Sequence, residues 1–266
     1  MYPFDYRRPR SVVEAQAAFS ASGEPRWLAG GMTLLPAMKL RLAAPGALID
    51  LADIEELKGI ELEAHDLAIG SMTIHREVAE SVEVRNLIPA LAELAGSIGD
   101  VQVRNRGTLG GSVSNNDPAA DYPAAILGLD ATIATTQRDI AADEFFTGLF
   151  ETALLADEII RHVSFPIPEL AGYVKFPNPA SRYAIAGVMV AKRSAVVRVA
   201  VTGAGPCVFR ATRLEQALEG EFTPQALDGI EVSAERLNED LHASAEYRAH
   251  LVTVLAGRAV EAALGR

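Results

Sequence analysis

The sequence predicts an α+β fold, and three observations carry that prediction. The first fifty residues or so run strand, glycine turn, helix, strand. A proline pair, Pro166-Ile167-Pro168, then breaks the chain where its pattern changes. Beyond the pair, short apolar runs that alternate like strands give way to amphipathic helical stretches. A chain of 266 residues, 49 % of them hydrophobic, has room for one large domain or two to three small ones.

Each element has a local reason. Ser11-Val12-Val13-Glu14 spells a capping box, which opens a helix over residues 15–21 that stops near Gly23. Arg26-Trp27-Leu28-Ala29 reads as a short buried strand entering Gly30-Gly31, and residues 32–42 read as a helix. Residues 47–51 form the next strand, and residues 57–70 hold two more around a turn at His65-Asp66. Residues 73–81 and 84–98 read as helices, with Pro89 tolerated in the first turn or two of the second. Residues 99–116 carry Gly99, Gly107, Gly110 and Gly111 among small polar side chains, with no clear period. A helix restarts over 118–127, a strand follows at 131–135, and residues 158–165 alternate up to the prolines. After them, residues 172–176, 187–192 and 195–202 read as an antiparallel sheet. Helices at 210–218 and 245–264 lie to one side of it. No internal repeat or low-complexity tract is present.

Composition excludes several functions. With 24 basic and 35 acidic residues the net charge is −11, which argues against a non-specific nucleic-acid binder. A single cysteine, Cys207, cannot close an internal disulfide or hold an iron–sulfur cluster alone. The five histidines, His65, His75, His162, His242 and His250, show no ligand spacing, and His75 reads as structural or surface. No run approaches the ~20 apolar residues of a membrane span, and the start has no apolar signal core, so a cytoplasmic location is expected.

Two glycine clusters stand out. Ala29-Gly30-Gly31-Met32-Thr33 follows a strand and precedes a helix, so backbone N–H groups lie open to a phosphate, although such a turn can also be purely structural. The second is Arg104-Asn105-Arg106-Gly107-Thr108-Leu109-Gly110-Gly111-Ser112, followed by Asn115-Asn116-Asp117-Pro118-Ala119-Ala120-Asp121. Neither is a nicotinamide-type Gly-x-Gly-x-x-Gly or a P-loop. Asp121 can accept hydrogen bonds from a ribose or from loop N–H groups; alternatively Asp117 or Asp121 caps the following helix. Two such segments together could grip a diphosphate from both sides.

In these two segments the chain resembles the flavoprotein subunits of molybdenum hydroxylases, the family of xanthine dehydrogenases and aerobic carbon monoxide dehydrogenases. The stretch from Ile98-Gly99 to Asp121-Tyr122-Pro123 strengthens the resemblance, as do Lys175-Phe176 and Pro179-Ala180-Ser181-Arg182-Tyr183-Ala184. It extends over nearly the whole chain and loosens after about Gly205.

The resemblance implies a vanillyl-alcohol-oxidase-type FAD-binding fold of two subdomains, residues 1–55 and 56–167. A C-terminal α+β domain of the carbon monoxide dehydrogenase flavoprotein type, residues 168–266, follows. It implies FAD as cofactor, held non-covalently. Ala29, Gly30, Gly31, Met32, Thr33 and Leu34 are then expected to wrap the diphosphate, and Thr108, Gly110, Gly111 and Ser112 to approach from the other side. Ile98 and Gly99 fall on the adenine side, Asp121 near the nucleotide, and Ile160 near the flavin. Lys175 falls near the pyrimidine end of the ring, where a cation stabilises negative charge; without the resemblance it reads as a strand-edge surface lysine. Tyr183 falls where a tyrosine covers one flavin face; unaided, it reads as core. Lys175 and Tyr183 are thus the expected catalytic residues.

The chain departs from the family at Arg182, where many relatives have Asp, and at Ser112, where others carry Asn or Asp. The function implied is electron transfer from a small [2Fe–2S] subunit through the flavin to an external acceptor. Substrate hydroxylation falls to a large molybdenum-cofactor subunit, in a dimer of heterotrimers. The alternatives are a standalone flavin-dependent oxidoreductase and a non-redox nucleotide-binding assembly module.

Overall fold

The computed structural model describes residues 1–265. Its first sheet is small and parallel. Strands β1 (Asp5–Arg7) and β2 (Pro25–Leu28) flank the buried β3 (Ala47–Asp50), with helix α1 (Val12–Ser20) after β1 and α2 (Leu34–Lys39) after β2. Ser11 caps α1 by accepting the Glu14 N–H. The return arm of the expected capping box lands one residue early, with the Glu14 carboxylate accepting from Arg10 N–H.

The second sheet is antiparallel, in the order β4-β5-β10-β6-β7. It comprises β4 (Ile60–Glu63), β5 (Asp66–Gly70), β6 (Thr132–Thr135), β7 (Asp139–Ala141) and β10 (Ile160–Pro166). The β4–β5 turn sits at Ala64-His65, one residue before the expected place, with Ala64 at φ +53°. Between β5 and β6 come α3 (His75–Glu80), α4 (Val82–Leu87), α5 (Pro89–Ser97), α6 (Val101–Arg104), α7 (Leu109–Asn115) and α8 (Tyr122–Gly128). After β7 come α9 (Ala142–Phe145) and a small hairpin of β8 (Phe146–Gly148) and β9 (Glu151–Thr152).

Three readings need correction here. The helix expected over 84–98 is two, broken at Ile88 (φ −139°, ψ 69°), because the residue before a proline is pushed out of the helical region. The stretch 99–116 holds two short helices, too brief to show a period. Asp117 does not cap α8 but closes a turn onto Ala119 N–H, and Asp121 sits at the N-cap of α8 without a side-chain cap hydrogen bond.

The third sheet, β11 (Leu170–Pro177), β12 (Ala184–Arg193), β13 (Val196–Thr202) and β14 (Phe209–Arg210), is antiparallel. Helices α10 (Thr212–Gly220) and α11 (Ala245–Ala263) follow it. Helices α10 and α11 pack on one face of this sheet, as expected, and its other face is covered by the second module. Val188, Val190, Val199 and Val201 pack with α10 and α11, while Met189, Ala191 and Ala200 join the core of the second sheet and α8. Successive strand residues face opposite ways, so this sheet is buried on both faces. Residues 184–191 are accordingly apolar and buried throughout.

Candidate cofactor site

A cavity of about 740 Å³ opens where the three sheets meet, within the size range of cofactor sites. Its first wall is the exit of β2. Gly31 adopts φ +73°, the left-handed region that favours glycine, and turns the chain into α2. The predicted helix 32–42 is shorter, Leu34–Lys39, so Met32 and Thr33 stay in the turn. Among the described residues, no acceptor receives the backbone N–H of Gly30, Gly31, Met32 or Thr33. Amide groups left this way require water or a ligand. Ala29 through Leu34 all line the cavity.

The second wall is the segment 107–112, and its backbone is differently occupied. Leu109 N–H donates to Thr73 O at 3.0 Å, and Gly110 N–H to Ser71 O at 2.8 Å. Gly111 N–H donates to Thr108 Oγ1 at 3.1 Å, capping α7, and Ser112 N–H to Thr108 O at 3.0 Å. What this segment offers a ligand is hydroxyls. Among the described residues, the O–H hydrogens of Thr108 and Ser112 meet no acceptor.

The two segments touch. A Cβ on Gly30 would strike the Arg106 carbonyl and come within 2.9 Å of Gly107 Cα; one on Gly111 would sit 3.3 Å from Ala29 Cβ. Gly30 therefore needs glycine for the close approach of the two backbones, and at Gly111 a side chain would crowd Thr108 Oγ1 and Ala29 Cβ.

The remaining expected residues fall around the same space, with one exception. Ile98 and Gly99 line the cavity at the end of α5, Ile160 at the start of β10, and Asp121 ahead of α8. Tyr183, half-exposed, reaches it from the third module. Burial raises the Tyr183 hydroxyl pKa, and the charges of Asp117 and Asp121 add to this. Lys175 is not a lining residue. It stands behind Asp121, its ammonium 3.0 Å from Ser97 O and 3.0 and 3.1 Å from the two carboxylate oxygens.

Burial raises the Asp121 carboxyl, against the pull of Lys175 and of the Tyr173 hydroxyl, which donates to Oδ1. Burial, then the Asp121 charge, pushes Tyr173 well above the ordinary phenol value, which keeps it a donor.

Two wall or near-wall residues were not among the expected site residues. His75, read as structural or surface, is buried and lines the cavity. Its backbone N–H donates to Gly107 O at 3.0 Å, its Nδ1 has no partner among the described residues, and its ring lies 5.3 Å from that of Tyr122. Burial, then the charge of Arg104, lowers its pKa to about 4, so the ring is neutral at pH 7. Tyr173 is the other. Its spacing of two from Lys175 on one strand was the available signal, since residues i and i+2 share a face.

A free row of N–H groups facing hydroxyls across a cavity, with glycines where side chains would fill the gap, fits a dinucleotide diphosphate. Comparison with known proteins agrees. The FAD-binding domain of molybdopterin dehydrogenases matches residues 2–168, and the carbon monoxide dehydrogenase flavoprotein C-terminal domain matches 172–263. The carbon monoxide dehydrogenase medium chain of Hydrogenophaga pseudoflava is 35% identical over 99% of this chain and 98% of its own. The nicotine 6-hydroxylase medium subunit of Paenarthrobacter nicotinovorans is 35% identical over 96% of this chain and 95% of its own. Among solved structures, carbon monoxide dehydrogenase from H. pseudoflava, in a form lacking the Mo-pyranopterin moiety of the molybdenum cofactor, superposes with TM-score 0.89. It is 35% identical and covers 100% of this chain and 99% of that one.

Proposed function

The chain belongs to the FAD-binding medium subunits of the molybdenum hydroxylases, and from that premise we propose that it relays electrons within such a complex. In this reading a small [2Fe–2S] subunit delivers electrons, an external acceptor removes them, and a large molybdenum-cofactor subunit hydroxylates the substrate, in a dimer of heterotrimers. Bound FAD supplies one-electron and two-electron exchange between donor and acceptor. The relatives' names support the assembly: they are medium chains or subunits of dehydrogenases and hydroxylases. The lone Cys207 supports it too, because one thiol cannot hold a cluster. No helix among the described residues is long and apolar enough to cross a membrane; a cytoplasmic location is part of the proposal.

The observation that carries the reading is the unpaired N–H row of Gly30 to Thr33 opposite the Thr108 and Ser112 hydroxyls. Ala29 to Leu34 hold the diphosphate from one side. Thr108, Gly110, Gly111 and Ser112 hold it from the other. Ile98 and Gly99 shape the adenine side, and Ile160 supplies an apolar contact near the ring. Tyr183 covers the ring, and the Asp121–Lys175 pair sets the charge beside it. Residues 1–55 and 56–167 serve as the two clasping subdomains, and the part from residue 168 onward delivers Lys175 and Tyr183.

The intact complex, purified and assayed for released flavin and visible absorbance, is expected to carry FAD near 1:1 with this chain and to copurify with two other chains. Absence of FAD from that complex would overturn the reading.

A further inference from the structure

The geometry points to Tyr173 as a positioning residue: its hydroxyl fixes the Asp121 carboxylate so that Asp121 and Lys175 stand as a locked pair at the cavity wall. The inference rests on the reading of this cavity as the FAD site. Three elements build the lock. Tyr173 and Lys175 project from one face of β11, Asp121 lies just before α8, and Ser97 closes α5. The Tyr173 hydroxyl donates to Oδ1, while the Lys175 ammonium reaches both carboxylate oxygens and the Ser97 carbonyl. Ser97 immediately precedes Ile98 and Gly99, so the lock ties two walls of the cavity to the third sheet.

The sequence makes room for that hydroxyl. Gly187 pairs with Lys175 across β12, and a Cβ there would lie 2.6 Å from the Tyr173 oxygen. A glycine inside a strand marks such a close approach. Burying a phenol without a partner is costly, so a purely space-filling ring here favours Phe. Tyrosine is explained by the bond to Asp121.

Among the described residues, Tyr173 and Lys175 face Asp121 from β11, and α5 gives the Ser97 carbonyl. Tyr122 follows it on α8 with an unpartnered hydroxyl, and the His75 ring lies against Tyr122. Asp117 and Tyr183 lie toward the cavity. Without the Tyr173 hydroxyl, Asp121 keeps Lys175 as its charged partner and binds a proton more readily, which leaves the Lys175 charge behind the cavity wall uncompensated.

The test is a carbon-13 titration of the Asp121 carboxyl in the FAD-loaded full chain, assigned with Asp121→Asn. FAD content and flavin midpoint potential are read on the same samples. Tyr173→Phe is expected to bind the Asp121 proton at least tenfold more tightly and to make the potential more positive on the acid side. Gly187→Ala, which displaces the hydroxyl without removing it, should move both readouts the same way, and it carries the test if Tyr173→Phe does not fold. An Asp121 titration and potential that match the wild type in a folded, FAD-loaded variant would overturn the inference. A wild-type chain that holds no FAD would overturn the functional reading instead, while the titration still decides the lock.

Discussion

In the first glycine segment the N–H groups of Gly30, Gly31, Met32 and Thr33 meet no acceptor among the described residues; in the second, every N–H from Leu109 to Ser112 is taken up within the protein. The two stretches look alike in sequence, small residues around a Gly-Gly pair. One leaves its amides open to the cavity; the other spends its amides inside the protein and offers side-chain hydroxyls. Glycine serves both, for different reasons. In the first it provides a left-handed turn and an open backbone; in the second it permits contact with Ser71 and with Ala29.

The contrast can be broken where the segments meet. Gly111→Asp puts a carboxylate between Thr108 and Ala29, facing the cavity. FAD affinity should fall by roughly 1000-fold, about 4 kcal/mol, while circular dichroism shows the fold largely kept. Wild-type flavin occupancy in that variant would mean that the second segment does not face the diphosphate.

Burial beside the second segment also predicts a pH dependence. The His75 ring, packed next to Gly107, is neutral when folded, with its pKa lowered to about 4 from 6.5 by burial. The unfolded chain therefore gains a proton near pH 6.5 that the folded chain resists. Stability is complete above pH 6.5 and falls as pH drops toward 4, by up to about 3 kcal/mol from this group. Denaturant midpoints of the apo chain at pH 7 and pH 4.5 should separate more in the wild type than in His75→Gln.

Gly110→Ala sharpens the contrast further. Its Cβ would lie 2.5 Å from Ser71 Cβ, and overpacking of this kind costs about 2 kcal/mol. Apo stability should drop before FAD affinity does, the reverse of Gly111→Asp. The smallest effect is expected from Thr108→Ala, which loses the cap of α7, about 1 kcal/mol, together with one hydroxyl facing the cavity. Thr108→Ser should restore both thermal midpoint and FAD binding; a serine variant no better than alanine would assign the loss to the methyl group.

Much of the architecture was legible because it is local. The helix cap at Ser11, the strand into Gly30-Gly31 and the long amphipathic helix near the C-terminus follow from spacing and residue type. The short pieces were not legible. The helices at 101–104 and 109–115 span too few residues to show a 3.6-residue period, and Pro89 divides a stretch whose apolar pattern alone reads as continuous. The site residues came from the resemblance and the glycine spelling, which name positions and not their partners. Thus Asp121 and Lys175 were both singled out, but not that they are each other's counter-charge.

The sequence by itself determined an acidic α+β chain whose single cysteine cannot carry a cluster, with two glycine turns suited to a diphosphate. Only the tertiary structure decided which turn keeps its amides open, because that depends on Ser71 and Thr73 arriving beside the second turn from β5 and the loop after it. It alone decided that Lys175 stands behind Asp121 and that the third sheet is buried on both faces. Each of these is a long-range contact, and sequence periodicity reports only which face of an element is apolar, not what comes to cover it.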